Sequence, residues 1–531
     1  MSNTSCETGI MTAVNQKRIA TNTLLLYFRM LVVMLVGLYT SRVIINALGQ
    51  QHFGIYDAVG GIVLMVSFIS TTMSSACQRY YSYEMAKGNL EELKKVFSIS
   101  LTVFFILTAL IVLLAETAGT WFLVHKMDVA GHIDAAKWVF QFSILSFALQ
   151  ILRVPYQGMV IAKEKMKVFA YLSLFEAFAI LGIALLLAHT ADDKNQRLIL
   201  YSALMAGIQV MTSAFYWLYC RLFYKECRFR FLLDRKKFRE IFSYAGWNLI
   251  GSSADVFKSQ GLNILLNVTF GTLVSAARGV ANKVFSTITQ LNSNFFTAVR
   301  PQLYKSYAAG EMDDMRKLIC QSSRFSFYLL FLLALPILLE TDFILPIWLR
   351  GRNVPEYAYV FTRLMVIEGI VNSFTSPFAA SIQATGNIRN YQLAIGGTLL
   401  LILPVAYVGV RFVGWPPASV FMVSIVISFI TQFLRLWFVH RQVGLELKVF
   451  LKEVLLPVSS VAVTSTSVSL AVKLAGKHIS GYPQWVVPVA VMAASMIITA
   501  VTVYVLGVTR TERKHALEMV HDFLGRNKQS L

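Results

Sequence analysis

The sequence is dominated by apolar runs longer than a soluble core uses. LLLYFRMLVVMLVGLY (24–39), LTVFFILTALIVLLA (101–115) and VFMVSIVISFITQFL (420–434) are three of many. Each approaches the length of a helix that crosses a hydrocarbon layer of about 30 Å. Within such a layer the backbone N–H and C=O groups must be satisfied inside the segment, so runs of this kind fold as helices. Composition agrees, since 56% of the 531 residues are hydrophobic and 14% charged, where a soluble chain has about a quarter charged. The expected class is an all-α polytopic membrane protein.

Fourteen spans are expected, at about 19–46, 54–78, 97–120, 136–162, 168–189, 197–220, 241–268, 272–299, 325–349, 357–385, 391–413, 416–438, 449–474 and 483–508. The segments between them are short. Lys and Arg concentrate in alternate connections, most densely in RLFYKECRFRFLLDRKKFR (221–239) between spans six and seven. Such an excess marks the cytoplasmic side, which places both termini in the cytoplasm. The net charge of +20 does not point to nucleic acid, because no soluble domain is available to carry a basic face. Cys6, Cys77, Cys220, Cys227 and Cys320 show no C-x-x-C and no ligand spacing with histidine. They fall in the N-terminal tail or near cytoplasmic connections, so neither disulfides nor a metal site is expected. The N-terminal stretch MSNTSCETGIMTAVNQKR lacks the pattern of a cleavable signal.

The chain also repeats itself at an offset of 222 residues. Gly49 falls on Gly271, and MAKGNLEELKKVF (85–97) falls on YAAGEMDDMRKLI (307–319). Further along, Pro155 meets Pro377, Ala162 meets Ala384 and Lys167 meets Arg389. Each copy holds six spans, an even number, so both copies enter the membrane from the same side. Parallel halves of this kind are typical of transporters with a site between the repeats. The expected organisation is a tail (1–18), a six-helix bundle (19–220), a basic linker (221–240), a second six-helix bundle (241–445), two additional spans (446–508) and a C-terminal tail (509–531).

Charge inside a span is costly and marks function by default. The cations assigned to spans are Arg29, Arg42, Arg153, Lys258, Arg278, Lys283 and Arg363, against few acids, of which Glu176, Asp255 and Glu368 are the main ones. Arg42 and Arg363 lie near span ends, where long side chains reach the headgroups. Lys258 follows Asp255 at i, i+3 and is expected to pair with it, and Arg153 before Pro155 could serve helix packing. At about 100° per residue, span eight has an apolar strip of Val280, Val284, Ile288, Leu291 and Phe295, expected to face lipid. Asn282, Ser286, Thr289, Asn292 and Ser293 share a polar face with Arg278, and Lys283 lies about 140° from Arg278. Ser67, Ser70, Thr71, Ser74 and Gln78 in span two, with Asn248, Ser252, Asp255 and Ser259 in span seven, extend this polar character. Together with span one these helices are expected to wall a hydrophilic cavity between the halves. Arg29, Arg278, Lys283, Lys258, Arg153 and Asn282 are its candidate ligands, and Asp255, Glu176 and Glu368 its candidate coupling or structural acids. An excess of cations favours an anion, and arginine suits phosphate oxygens.

Catalytic motifs are absent: there is no G-x-x-x-x-G-K-[ST], H-E-x-x-H or G-x-S-x-G. The histidines fall in loops, tails or span ends and are expected to be mostly solvated, as is the pair Asp192–Asp193. An enzyme is not expected.

ALGQQHFGIYD (47–57) resembles the LG-x-x-x-FG-x-Y signature of Wzx-type polysaccharide flippases, in the multidrug/oligosaccharidyl-lipid/polysaccharide (MOP) exporter superfamily. Leu48, Gly49, Phe53, Gly54 and Tyr56 carry the match. The fourteen spans, the six-plus-six repeat and two extra helices fit that family along the whole chain. FGTLVSAARGV in the second copy keeps Gly271 but has no FG-x-Y. The resemblance implies a bacterial inner-membrane flippase of O-antigen, capsule or related repeat units. Its substrate would be an oligosaccharide on undecaprenyl diphosphate, moved by alternating access and driven by potential or by H+ or Na+ as coupling ion. No organic cofactor is implied. Partners would be the lipid-linked substrate, membrane lipids and other polysaccharide-assembly membrane proteins. A peptidoglycan-precursor flippase, another MOP transporter, or an integral-membrane polymerase or glycosyltransferase are the alternatives. The last would need an extramembrane catalytic loop.

Overall fold

The computed structural model describes residues 22–23, 25–37, 39–40, 43–44, 47–48, 52, 56, 67–125, 132–187, 193–228, 234–348, 354–476, 485–509 and 512–513, and every regular element among them is helical. The first six helices are α1 (Leu25–Gly37), α2 (Ser67–Ala86), α3 (Leu90–His125), α4 (Ile133–Ala162), α5 (Met166–Leu187) and α6 (Lys194–Phe223). Next come α7 (Arg235–Phe270), α8 (Thr272–Ala308), α9 (Met312–Trp348), α10 (Ala358–Val371) and α11 (Thr375–Thr385). The chain ends with α12 (Arg389–Phe412), α13 (Ser419–Val443), α14 (Leu447–Gly476) and α15 (Val486–Gly507). The 3-10 turn Asn372–Phe374 joins α10 to α11, so the two occupy the tenth expected span as one broken helix.

Among the described residues nine helices are long and apolar enough to cross a membrane: α3 to α6, α9 and α12 to α15. The protein is therefore a multi-pass membrane protein. α2, α7 and α8 have the length but not the apolarity, and they match the spans whose polar residues set them apart in the sequence. α7 and α8 hold 36 and 37 residues; at 1.5 Å per residue each is about 54 Å long, more than a hydrocarbon layer needs. The linker expected over 221–240 is shorter than that, since Lys225–Cys227 forms a 3-10 turn and α7 begins at Arg235.

The chain divides into two compact units, Thr21–Ser252 and Ser253–Leu531, the boundary falling within α7. In the first, α4 packs against α2, α3 and α6, and α5 lies on α6. In the second, α8 packs against α9, α10 and α11, while α13 packs against α10, α11 and α12. α14 and α15 pack on each other and on α9.

The repeat holds down to single hydrogen bonds. Gly88 and Gly310 adopt φ of 68° and 79°. Gly88 N donates to Met85 O (3.1 Å) and Asn89 N to Glu84 O (3.3 Å), while Gly310 N donates to Tyr307 O (3.1 Å) and Glu311 N to Ser306 O (3.0 Å). The helices that follow open with matching i, i+3 ion pairs. Lys94–Glu91 and Lys95–Glu92 lie at 2.5 and 2.7 Å, and Arg316–Asp313 and Lys317–Asp314 at 3.0 and 3.6 Å. A second pair of turns follows the same offset, with positive φ at Glu164 and at Gly386.

Candidate functional site

In the first unit the expected cations sit in a polar centre made by α1, α4, α5 and α6. Arg29 donates from Nη1 to Ser173 Oγ (3.1 Å), and its guanidinium lies 4.8 Å above the Phe169 ring. Arg153 donates to Thr212 Oγ1 (2.9 Å) and stands 3.8 Å from Glu176, which accepts from Gln209 Nε2 at 2.8 Å. Arg153 and Glu176 thus tie three helices together. Such a network is costly to break, because removing one partner strands the other charge in a low-dielectric interior.

In the second unit the expected Asp255–Lys258 pair does not form. Lys258 Nζ instead bonds Glu368 Oε1 at 2.6 Å. The same oxygen accepts from Ser424 (2.7 Å) and Ser428 (3.3 Å) on α13. Helical spacing proposes only local partners, whereas the broken helix α10–α11 delivers a carboxylate from 110 residues away. Glu368 is 8% exposed and thus a buried acid whose charge is met by an ammonium and two hydroxyls. Asn372 and Gln432 extend the network, Gln432 Nε2 donating to Asn372 Oδ1 (2.9 Å) and Thr375 Oγ1 (2.7 Å). Asp255 is exposed and feels Arg435, Lys258 and Glu368 as its charged neighbours. Arg435 is not among the expected site residues, although it falls inside the twelfth expected span, 416–438. It is 7% exposed and donates to the Tyr391 hydroxyl. Its position near a span end hid it, and the apolar turn before it was the available signal.

α8 carries the cations that the sequence singles out most strongly, and the structure separates them. Arg278 is 8% exposed and donates from Nη2 to the Ser259 carbonyl on α7 (2.8 Å). Lys283 and Asn282 are exposed, as are Ser286, Thr287, Gln290 and Ser293. The apolar strip expected to meet lipid is a packing face. Ile288 is buried with Leu330, Ala334 and Val366, Val284 packs against them, and Phe295 is buried as well. Periodicity finds the apolar face of a helix but not what covers it. The exposed polar face is left uncovered by its own unit, and a face of that polarity is not one that hydrocarbon solvates. α8 contains Arg278, Lys283, Arg300 and Lys305 and no acidic residue along its whole length.

Of the remaining expectations, Leu48 is fully buried and Tyr56 meets Tyr201 edge-to-face at 4.7 Å, while Gly49, Phe53 and Gly54 lie outside the described residues. His52 is 7% exposed rather than solvated: its ring bonds Asn195 Oδ1 (3.0 Å) and lies 4.7 Å from His132. Asp193 caps α6 through Asn195 N, and Asp192 and Arg42 lie outside the described residues. Arg363 pairs with Asp342 at 2.7 Å on an exposed surface. In span two, Gln78 is buried and bonds Ser74 Oγ (3.1 Å); nothing is described of the side chains of Ser67, Ser70 and Thr71. Cys77, Cys220, Cys227 and Cys320 are free and buried.

A family model described as "Polysaccharide biosynthesis protein" matches residues 19–306. No curated protein matches the chain. Among solved structures, the outward-facing conformation of a multidrug resistance MATE family transporter of the MOP superfamily has a TM-score of 0.71 at 13% identity, covering 81% of this chain and 97% of its own. A MATE in complex with MaD3S has a TM-score of 0.70 at 12% identity, covering 81% and 96%. A MOP superfamily transporter from Pyrococcus furiosus, described as having a binding pocket whose reverse polarity suggests a different function, has 0.65 at 13% identity with coverage of 81% and 96%. These likenesses show that the chain shares the fold of those transporters.

Proposed function

The chain belongs to the polysaccharide biosynthesis protein family, and from that premise we propose that it flips an undecaprenyl-diphosphate-linked oligosaccharide from the cytoplasmic to the periplasmic leaflet of the bacterial inner membrane. The observation that carries this reading is α8: four cations, no acid, and an exposed polar face with Lys283 at its centre. A diphosphate with an attached glycan offers anionic oxygens for the ammonium and hydroxyls for Asn282, Ser286, Thr287 and Gln290. Lys283 is the substrate contact, with Asn282 beside it. Arg278 holds α8 against α7 and adds positive potential, and Arg29, Arg153 and Lys258 act within their networks. Movement follows alternating access driven by membrane potential or by an H+ or Na+ gradient, with Glu368, Asp255 and Glu176 as the acids available to an ion. Both termini are cytoplasmic, and other polysaccharide-assembly membrane proteins receive the product.

Export of cationic drugs requires acids along the path, which α8 lacks. A peptidoglycan-precursor flippase shares the diphosphate chemistry and is separated by substrate. The test is the sidedness of lipid-linked glycan in cells without this protein. Accumulation on the cytoplasmic leaflet is expected, and normal translocation with unpolymerised units would indicate an enzyme instead. In complementation, Lys283→Ala is expected to lower export at least ten-fold at unchanged protein level, since a hydrogen bond to a charged group contributes about 1.5–3 kcal/mol. Full complementation by the variant would remove Lys283 from the substrate path.

A further inference from the structure

The first two turns of α7 divide their charges between two faces. Taking Arg235 as zero and about 100° per residue, Arg239 lies near 40°, Phe242 near 340° and Phe238 near 300°, while Lys237 lies near 200°. Lys237 is spent on the first unit: its Nζ bonds Glu84 Oε1 at 3.0 Å and lies 3.3 Å from Glu92. Glu240, near 140°, is exposed and lies beside Tyr80. Asp234 accepts from the backbone N–H groups of Lys236 and Lys237 at 3.0 and 3.1 Å, as the helix cap. Of the two acids on this stretch, Asp234 is engaged as the helix cap and Glu240 lies about 100° around the helix from Arg239. The opposite face shows Arg235 and Arg239, both exposed, beside Phe238 and Phe242, whose rings stack at 6.0 Å. Among the described residues no acid pairs with either arginine. Phe242 is 58% exposed.

The end of α6, on the other side of the connection to α7, is also basic and aromatic. Arg221 lies 5.1 Å above the Trp217 ring, and Leu222 and Phe223 are exposed. The second unit repeats this pair at the end of α13, where Arg441 lies 5.4 Å above Trp437. Both residues are shifted by 220, as are the last residues of the two helices, Phe223 and Val443. A helix of about 54 Å overruns the hydrocarbon layer, so its basic aromatic end meets the headgroups. There aromatic rings settle at the polar boundary and arginines at phosphates.

We infer that the outward face of the first turns of α7, together with Arg221 at the end of α6, is a docking surface for the phosphate headgroup of an acidic bilayer phospholipid. Charge complementarity selects the ligand. Three guanidiniums that no acid pairs with among the described residues favour a net-negative headgroup over a zwitterionic one, and the exposed phenylalanines favour a lipid over a free phosphate. This surface is separate from α8 and does not rest on the identity of the transported substrate.

The test uses the purified full-length protein in detergent, with bound lipid counted by native mass spectrometry during titration with phosphatidylglycerol or phosphatidylcholine. Wild-type protein is expected to bind phosphatidylglycerol at a concentration at least ten-fold lower. Each arginine removed should weaken that binding about five-fold, so Arg221→Gln/Arg235→Gln/Arg239→Gln raises the half-saturating concentration on the order of 100-fold and leaves phosphatidylcholine unchanged. Replacing the same three residues by lysine, in protein that elutes as one species, should keep most of the binding and shows that charge is the cause. Wild-type affinity in the glutamine variant overturns the inference. So does displacement of phosphatidylglycerol from wild-type protein by millimolar pyrophosphate, which would assign the surface to a free diphosphate.

Discussion

At the scale of single residues, the sequence located the charges but not their partners. Only local neighbours are visible along one helix, which points Lys258 to Asp255; its observed partner, Glu368, arrives on another helix. This arrangement makes a specific prediction. Lys258→Met leaves Glu368 buried with its charge unmet and should lower stability by roughly 3–5 kcal/mol. Lys258→Met/Glu368→Gln removes the stranded charge and should recover most of the loss, as read in a double-mutant cycle of detergent-solubilised thermal unfolding. Equal losses in single and double variants would mean the two groups do not meet. A second pair lies outside the spans, where Lys163 Nζ bonds Glu226 Oε1 at 2.7 Å. Burial, the largest single influence, would raise the Glu226 carboxyl, but the Lys163 ammonium, the residue's own backbone N–H and Lys94 together hold it below its ordinary value. A depressed folded pKa adds stability that is present above the unfolded value of about 4.3 and is lost as pH falls through the folded one. Glu226→Gln should therefore lower the melting temperature at pH 7 and flatten its fall below about pH 4.5.

At the scale of elements, α8 shows what periodicity can and cannot deliver. The pattern identifies Val284, Ile288 and Phe295 as one face, correctly, and assigns them to lipid, whereas α9 and α10 cover Val284 and Ile288 and Phe295 is buried as well. Nothing in a single helix distinguishes a helix neighbour from an acyl chain, since both are apolar. The turns were more legible, because glycine at a positive φ leaves a mark in the sequence that recurs with the repeat. Gly88 and Gly310 have no atom within 4 Å of a would-be Cβ, so alanine there meets backbone strain alone. Gly88→Ala and Gly310→Ala should each cost about 1–2 kcal/mol, and by similar amounts. Gly271, at φ 84° and ψ −177°, occupies a region essentially reserved to glycine between α7 and α8. Its alanine variant should lose about 1–3 kcal/mol although no contact is lost. Thermal melts of the three variants give the ranking, and a Gly271→Ala protein as stable as wild type would contradict the turn.

At the scale of the molecule, the repeat and the count of spans could be read because they depend on hydrophobicity and spacing, which a sequence states outright. What the two helices beyond the repeat do could not, because their attachments are made by side chains far apart in sequence. α15 is tied to α9 at its end: Arg324 Nη2 bonds Glu512 Oε1 at 2.6 Å, with both residues almost wholly buried, and the Tyr328 hydroxyl donates to Gly507 O at 3.1 Å. Lys473 on α14 stands 3.3 Å from Glu340, at the point where α9 loses helical geometry (φ −116°, ψ 30°), and donates to the Leu339 carbonyl beside it. α14 and α15 thus brace a broken helix of the second unit at two points. Arg324→Ala strands the buried Glu512 carboxylate and should cost roughly 3–5 kcal/mol. Because the first unit has its own packing, hydrogen exchange should accelerate across Ser253–Leu531 while amides of Thr21–Ser252 keep their protection. Arg324→Ala/Glu512→Ala should restore part of that protection. Acceleration spread evenly over both units would show that the brace acts on the whole chain and not on α9 alone.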